Sequence, residues 1–145
     1  MNEYVLLVED NDQDEKLTVR SLRRAGVVNR IEVVRDGQQA LDYLFGSGEF
    51  AGESQPDVPI VMILDLGLPR VSGLDVLERV RQHHATRLMP VVILTSSDEE
   101  RDRLKSYENG ANAFARKPVD FGEFATTVTR IGLFWALTNQ PPPPI

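Results

Sequence analysis

The stretch Pro59-Ile60-Val61-Met62-Ile63-Leu64-Asp65-Leu66-Gly67-Leu68-Pro69 decides the fold. Its apolar run, Ile60 to Leu64, has no alternation and stops abruptly at a carboxylate. A strand that is apolar on both faces needs cover on both, as in a parallel sheet held between layers of helices. The same pattern recurs twice: Tyr4 to Val8 stops at Glu9-Asp10, and Val91 to Leu94 stops at Thr95-Ser96. Ile31 to Arg35 is interrupted by Glu32, and Ala113 to Arg116 is short and closes on a charge. Those two read as edge strands.

Helical patterns fill the gaps. Asp12 to Ala25 forms the first helix, closed by Gly26, and Asp36 caps a second that carries Ala40, Leu41, Leu44 and Phe45. Leu74, Leu77 and Val80 give the third a core stripe. Asp98 is the expected cap of the fourth, whose stripe is Leu104, Tyr107 and Ala111, with Gly110 as its stop. Asp120 opens the fifth, with Phe121, Phe124, Val128 and Ile131 on one face. Strand and helix alternate five times, which predicts an α/β fold, a (βα)5 three-layer sandwich. Right-handed crossovers and a switch point beside the first strand favour the flavodoxin-like order 2-1-3-4-5. Gly46 to Pro59 reads as a long loop, and Pro141 to Pro144 as extended polyproline or disordered chain. The expected organisation is one domain over residues 1–131 and a C-terminal extension over 132–145, with no repeat and no output domain.

Bulk properties narrow the function. A net charge of -6 argues against a broad nucleic-acid surface, because phosphate backbones select basic patches. With no cysteine there is no disulfide and no thiolate chemistry. The apolar runs are far too short to cross a bilayer, so no membrane is expected, and Asn2-Glu3 lead into a strand without a signal-peptide pattern. A bacterial-type cytoplasmic protein fits best.

In a sheet of this order, ligands bind beyond the carboxyl ends of the strands. Those ends carry Glu9, Asp10, Asp65, Thr95, Ser96 and Lys117. Three carboxylates from adjacent strand ends raise one another's pKa unless a cation sits among them. Hard oxygen ligands in an incomplete cage suit Mg²⁺, which keeps several waters and binds phosphate oxygens. Lys117 adds a fixed positive charge and Thr95 a hydroxyl. The set describes phosphoryl transfer to a carboxylate nucleophile, with Mg²⁺ and Lys117 stabilising charge on the transferring group. Asp65, between the two charge centres, is the expected acceptor, and Thr95, Ser96 and Lys117 the phosphoryl-contacting residues. Asp10, Asp12 and Asp14 alternate as in an EF-hand loop, but Glu15 and Ser21 stand where Gly and Glu are required. Gly46, Gly48 and Gly52 follow a helix rather than the first strand, so a dinucleotide fingerprint fails.

These residues resemble response-regulator receiver domains, from Tyr4 to about Ile131. The pair Glu9-Asp10, the segment Asp65-Leu66-Gly67-Leu68-Pro69 with Gly73, Thr95-Ser96 and Lys117-Pro118 stand in family order and spacing. The resemblance implies phosphorylation of Asp65 by a histidine kinase. It implies Mg²⁺ held by Asp10, Asp65 and the Gly67 backbone carbonyl, with Glu9 acting through water. Thr95 and Phe114 become a switch pair, and the Lys117-Pro118 bond is expected to be cis. Such a protein is a phosphoacceptor rather than an enzyme, catalysing only its own phosphorylation and dephosphorylation. The long loop before the third strand, Tyr107 to Asn112, Pro118-Val119-Asp120 and Phe134-Trp135 look like stand-alone regulators paired with bacterial phytochrome kinases. One departure is Gly67, where many receivers carry a larger polar side chain. Rival readings are a haloacid-dehalogenase-like phosphatase, which needs a second Asp at Gly67, a flavodoxin-type carrier, and a docking-only pseudo-receiver. Past Ile131, Leu133, Phe134, Trp135, Ala136 and Leu137 point all around a helix, and a helix apolar all round is normally buried. A homodimer built on Leu133, Phe134, Trp135 and Leu137 is the expectation.

Overall fold

The three apolar runs are strands buried along their full length: β1 (Tyr4–Val8), β3 (Val61–Leu64) and β4 (Val91–Thr95). The computed structural model describes residues 3–53 and 56–145, so two positions of the expected loop, 54 and 55, lie outside the described residues. With the edge strands β2 (Arg30–Val34) and β5 (Ala113–Arg116), the runs form one parallel sheet in the order 2-1-3-4-5. Side chains alternate across it. Along β1, Tyr4, Leu6 and Val8 face a core completed by α2 (Gly37–Phe45) and α3 (Gly73–Gln82), while Val5 and Leu7 face α1 (Asp12–Arg24) and α5 (Phe121–Ile131). This is the flavodoxin-like α/β sandwich that the alternation of runs predicts.

Most helix starts follow the sequence signals. Asn11 accepts from the Asp14 N–H at 2.9 Å, Asp36 from Gln39 at 2.7 Å, Ser72 from Asp75 at 3.2 Å and Asp120 from Glu123 at 2.9 Å. Each side chain satisfies a backbone donor that the first helical turn leaves unpaired. Glycine matters most at Gly73, where a Cβ would collide with the Asp65 carbonyl oxygen and Leu66 Cα. Only hydrogen there lets α3 start directly against the end of β3, with the Gly73 N–H donating to the Leu66 carbonyl at 2.9 Å.

Four local expectations are corrected. Asp98 does not cap α4 (Glu100–Glu108): Glu99 holds the cap position without a side-chain bond, and Asp98 forms only an exposed pair with Arg116 at 3.8 Å. Ser97 does the tying instead, donating to Asp102 Oδ2 at 2.6 Å and accepting from the Glu99 N–H at 3.3 Å. Two members of the expected α4 stripe point outward, Leu104 62% and Tyr107 49% exposed, while Ala111 packs partly on the core and Ser106 faces in. Its hydroxyl donates to the Asp102 carbonyl at 2.7 Å, so a small polar residue with a local partner takes the buried place. Phe121 is 70% exposed and lies off the core stripe, which Phe124, Val128 and Ile131 form. The Lys117–Pro118 bond is trans, since no cis peptide occurs among the described residues; trans is the lower isomer of such bonds by about 0.5–1 kcal/mol.

The C-terminal segment divides. A π-helical turn, Gly132–Ala136, continues α5. Gly132 is buried against Leu22 and Val27, and Trp135 and Ala136 pack on the α1–α5 core. Trp135 thus belongs largely to its own domain, whereas Leu133, Phe134 and Leu137 stay 45–48% exposed. Pro141–Pro144 has no regular structure and runs past Pro56–Ile60 and Leu88–Pro90 at the opposite end of the sheet from the acidic rim.

Candidate functional site

The carboxyl ends of β1, β3, β4 and β5 open on one rim. Pairing of Val8 with Leu64 brings Glu9 and Asp65 off neighbouring strands at the same level, and the Asp65 N–H donates to the Val8 carbonyl at 3.2 Å. On the other side the Lys117 N–H donates to the Thr95 carbonyl at 2.7 Å. Because β4 lies between β3 and β5, the Lys117 side chain must reach over the end of β4 to meet the acids. It does so. Its Nζ lies 2.7 Å from Glu9 Oε1, 2.8 Å from Asp65 Oδ2 and 2.9 Å from Asp14 Oδ2.

Each ammonium proton therefore faces a carboxylate. Asp14 escaped the sequence reading, which weighed it only as a loop ligand for Ca²⁺. The available signal was its place on the first turn of α1, three residues after the Asn11 cap and directly above the rim. Asn11 contributes again, its N–H donating to Glu9 Oε2 at 3.2 Å. Asp65 Oδ1 accepts from the Gly67 N–H at 3.3 Å. Glu9, Asp65, Thr95 and Lys117 are buried, while Asp10, Gly67 and Ser96 are exposed. An open cleft of about 620 Å³ is lined by Asp10, Asp14, Asp65, Gly67, Thr95, Ser96 and Lys117 among others. Two expected site residues stand outside that lining. Glu9 lies beneath it, and Phe114, paired beside Ile93, is half-buried against the α2–α3 core.

The electrostatics follow from burial. Loss of water pushes the Glu9 carboxyl up to about 7; Lys117 opposes this shift and Asp65 adds to it. Burial pulls the Lys117 ammonium down, but hydrogen bonds and charge from Asp65 and Glu9 outweigh it and hold the group above the ordinary lysine range. Glu9, Asp10 and Asp65 each offer an oxygen within 4.8 Å of the others. A single lysine does not neutralise three such acids. A cluster of hard oxygen donors beside an open cleft fits a divalent cation.

The sequence matches the response regulator receiver domain over residues 5–129. The chain belongs to this family. A receiver is a phosphoacceptor module of two-component signalling rather than a classical enzyme, and it implies a histidine kinase as partner. The "Probable methanogenesis regulatory protein FilR2" of Methanothrix harundinacea is 39% identical over 97% of this chain and 88% of its own. The Mn²⁺-bound form of response regulator Rcp1, a protein of Synechocystis, superposes with a TM-score of 0.89 at 31% identity, covering 97% of this chain and 99% of that one. The bacteriophytochrome response regulator RtBRR has a TM-score of 0.76 at 49% identity, over 99% of this chain and 86% of that one. The phosphatase and electron-carrier readings fall away with the family assignment. No helix among the described residues is long and apolar enough to cross a membrane.

The Glu9 shift has a consequence for stability. Between about pH 4.5 and 7 the folded chain keeps a proton on Glu9 that the unfolded chain has released, so this group's contribution falls as pH rises. In metal-free buffer, wild type should lose stability relative to Glu9→Gln across that interval, as denaturant melts at several pH values will read. Parallel curves for the two proteins would mean that Glu9 is not a desolvated carboxylate.

Proposed function

We propose that Asp65 is the phosphoryl acceptor of this receiver, and that it takes its phosphoryl group from a histidine kinase with Mg²⁺ assistance. The observation that carries this is an intersection of three properties. Asp65 belongs to the acidic cluster, bonds Lys117 Nζ at 2.8 Å and lines the cleft. Glu9 has the first two but lies beneath the cleft; Asp14 has the last two but stands outside the cluster; Asp10 makes no ion pair with Lys117. A nucleophile needs all three: a neutralised charge, a fixed orientation and access.

Asp10, Asp65 and the Gly67 backbone carbonyl would hold Mg²⁺, with Glu9 acting through water. The ion would supply charge neutralisation for the phosphoryl oxygens. Lys117 and the Thr95 and Ser96 hydroxyls donate to those oxygens from the opposite side. Thr95 Oγ1, which here accepts from the Ser97 N–H at 3.4 Å, then turns to the phosphoryl group, and the Phe114 ring fills the space it leaves. A hydrogen bond to a charged group contributes about 1.5–3 kcal/mol, enough to bias a two-state equilibrium.

A phytochrome-type photoreceptor kinase is the favoured donor, supported by the 49% identity to a bacteriophytochrome response regulator. Residues 1–131 act as the receiver, and the extension after them as a homodimer contact. The exposed Leu133, Phe134 and Leu137 support that role; Trp135 serves as the inward anchor that presents them.

Incubation with Mg²⁺ and acetyl phosphate should add one phosphoryl group by intact mass, and Asp65→Asn, nearly isosteric, should stay folded and add none. Full labelling of that variant at another residue would overturn the assignment.

For the dimer, a Phe134→Asp/Leu137→Asp variant keeps the Trp135 anchor and should be monomeric by light scattering where the parent is dimeric. A variant that stays dimeric would move the interface off the C-terminal segment.

A further inference from the structure

Asp14 is the acid of the rim that the phosphoacceptor reading leaves without a role. Its Oδ2 sits 2.9 Å from Lys117 Nζ and takes the third of three ammonium hydrogen bonds. A lysine ammonium has no fourth donor. Any phosphoryl oxygen that arrives beside Asp65 and needs Lys117 must therefore displace one of the carboxylates already there.

The three are not equal. The Glu9 side chain is 2% exposed, so it would be left as a buried carboxylate short of its cation, while Asp65 spends its own charge in the acyl phosphate, whose extra oxygens and negative charge draw Lys117 toward it. Asp14 is 29% exposed and stands on the wall of the open cleft, where water can replace the lysine. A partly exposed ion pair is also weak, so it is the one that yields. Its backbone reinforces the point: the Asp14 N–H is held by Asn11 Oδ1 at 2.9 Å, so the residue stays anchored on the helix while its carboxylate lets go.

We propose that Asp14 is a positioning residue that holds Lys117 in the unphosphorylated protein and competes with the phosphoryl group for it. This rests on Asp65 being the acceptor. Asp14 lowers the occupancy of the phosphorylated state in two ways. It occupies the donor that the phosphoryl group needs, and once displaced it leaves a negative charge facing the new anion. Removing its charge weakens the hold on one Lys117 N–H, an amide oxygen being a poorer acceptor than a carboxylate, without touching the acidic cluster of Glu9, Asp10 and Asp65.

The test uses the full chain at saturating Mg²⁺ with beryllofluoride as a phosphoryl mimic, and acetyl phosphate in parallel. Asp14→Asn should bind beryllofluoride about two- to fivefold more tightly, the range set by a partly exposed ion pair. Its steady-state phosphorylated fraction should rise as well, with Mg²⁺ affinity unchanged. Asp14→Glu should return both readings to the wild-type values. Asp12→Asn removes an equal charge from the same helical turn, at an exposed side chain that makes no contact with Lys117, and should change neither. Weaker or unchanged beryllofluoride binding by Asp14→Asn would overturn the proposal, because loss of a purely structural brace cannot tighten the site. An equal gain from Asp12→Asn would overturn it too, reducing the effect to bulk charge. A wild type that takes no phosphoryl group, or takes it elsewhere than Asp65, would instead overturn the acceptor assignment on which this inference stands.

Discussion

One buried ammonium holds the functional end of this molecule together. Lys117 follows β5, yet its partners Glu9 and Asp65 follow β1 and β3, and Asp14 stands on α1. Two strand spacings, roughly 10 Å, separate β5 from β3. A long unbranched side chain closes most of that distance and the inward-reaching carboxylates close the rest, and Thr95 ends β4 beneath the span. An arginine would spread five donors over a flat fork, whereas three donors around one nitrogen converge on three acids. The sheet order thus requires a residue of this shape at this position.

The same arrangement explains why the site is reactive and costly to keep. Two carboxylates are buried with a single resident cation between them, and loss of water, only partly offset by Lys117 and added to by Asp65, raises Glu9 to about 7. Folding tolerates this because the hydrophobic cores on both faces of the sheet supply a large favourable contribution elsewhere. The deficit is what a divalent cation and a donor group with charged oxygens can use. Stability and function oppose each other at this rim, and the exposed positions of Asp10, Gly67 and Ser96 keep it open on the solvent side.

Much of this was legible in the sequence, for identifiable reasons. Unbroken apolar runs such as Val61–Leu64 can only be doubly covered strands, and their order follows from handedness once five alternations are counted. Asp65 and Lys117 stood at strand ends, where backbone geometry alone brings them to one rim. What escaped depends on packing. In α4 the inward place went to Ser106, whose hydroxyl finds a local partner, so Leu104 and Tyr107 face out despite their apolar character. Trp135 turns inward because Gly132 lets the chain close on Leu22, a contact between residues far apart in sequence. Asp14 was hidden by the same logic: its role depends on a lysine more than a hundred residues away, as the separation of 103 in their hydrogen bond records.

Lys117 is the counter-ion on which the acidic rim depends, and a Lys117→Met variant puts that dependence to the test. The change keeps the apolar stem and removes the charge. At neutral pH without metal the variant should lose about 3–5 kcal/mol in denaturant unfolding, the usual consequence of stranding buried carboxylates. Mg²⁺, or acid sufficient to protonate the cluster, should recover part of that loss. A Lys117→Met protein as stable as wild type at neutral pH, with or without Mg²⁺, would mean that the acids do not depend on this lysine.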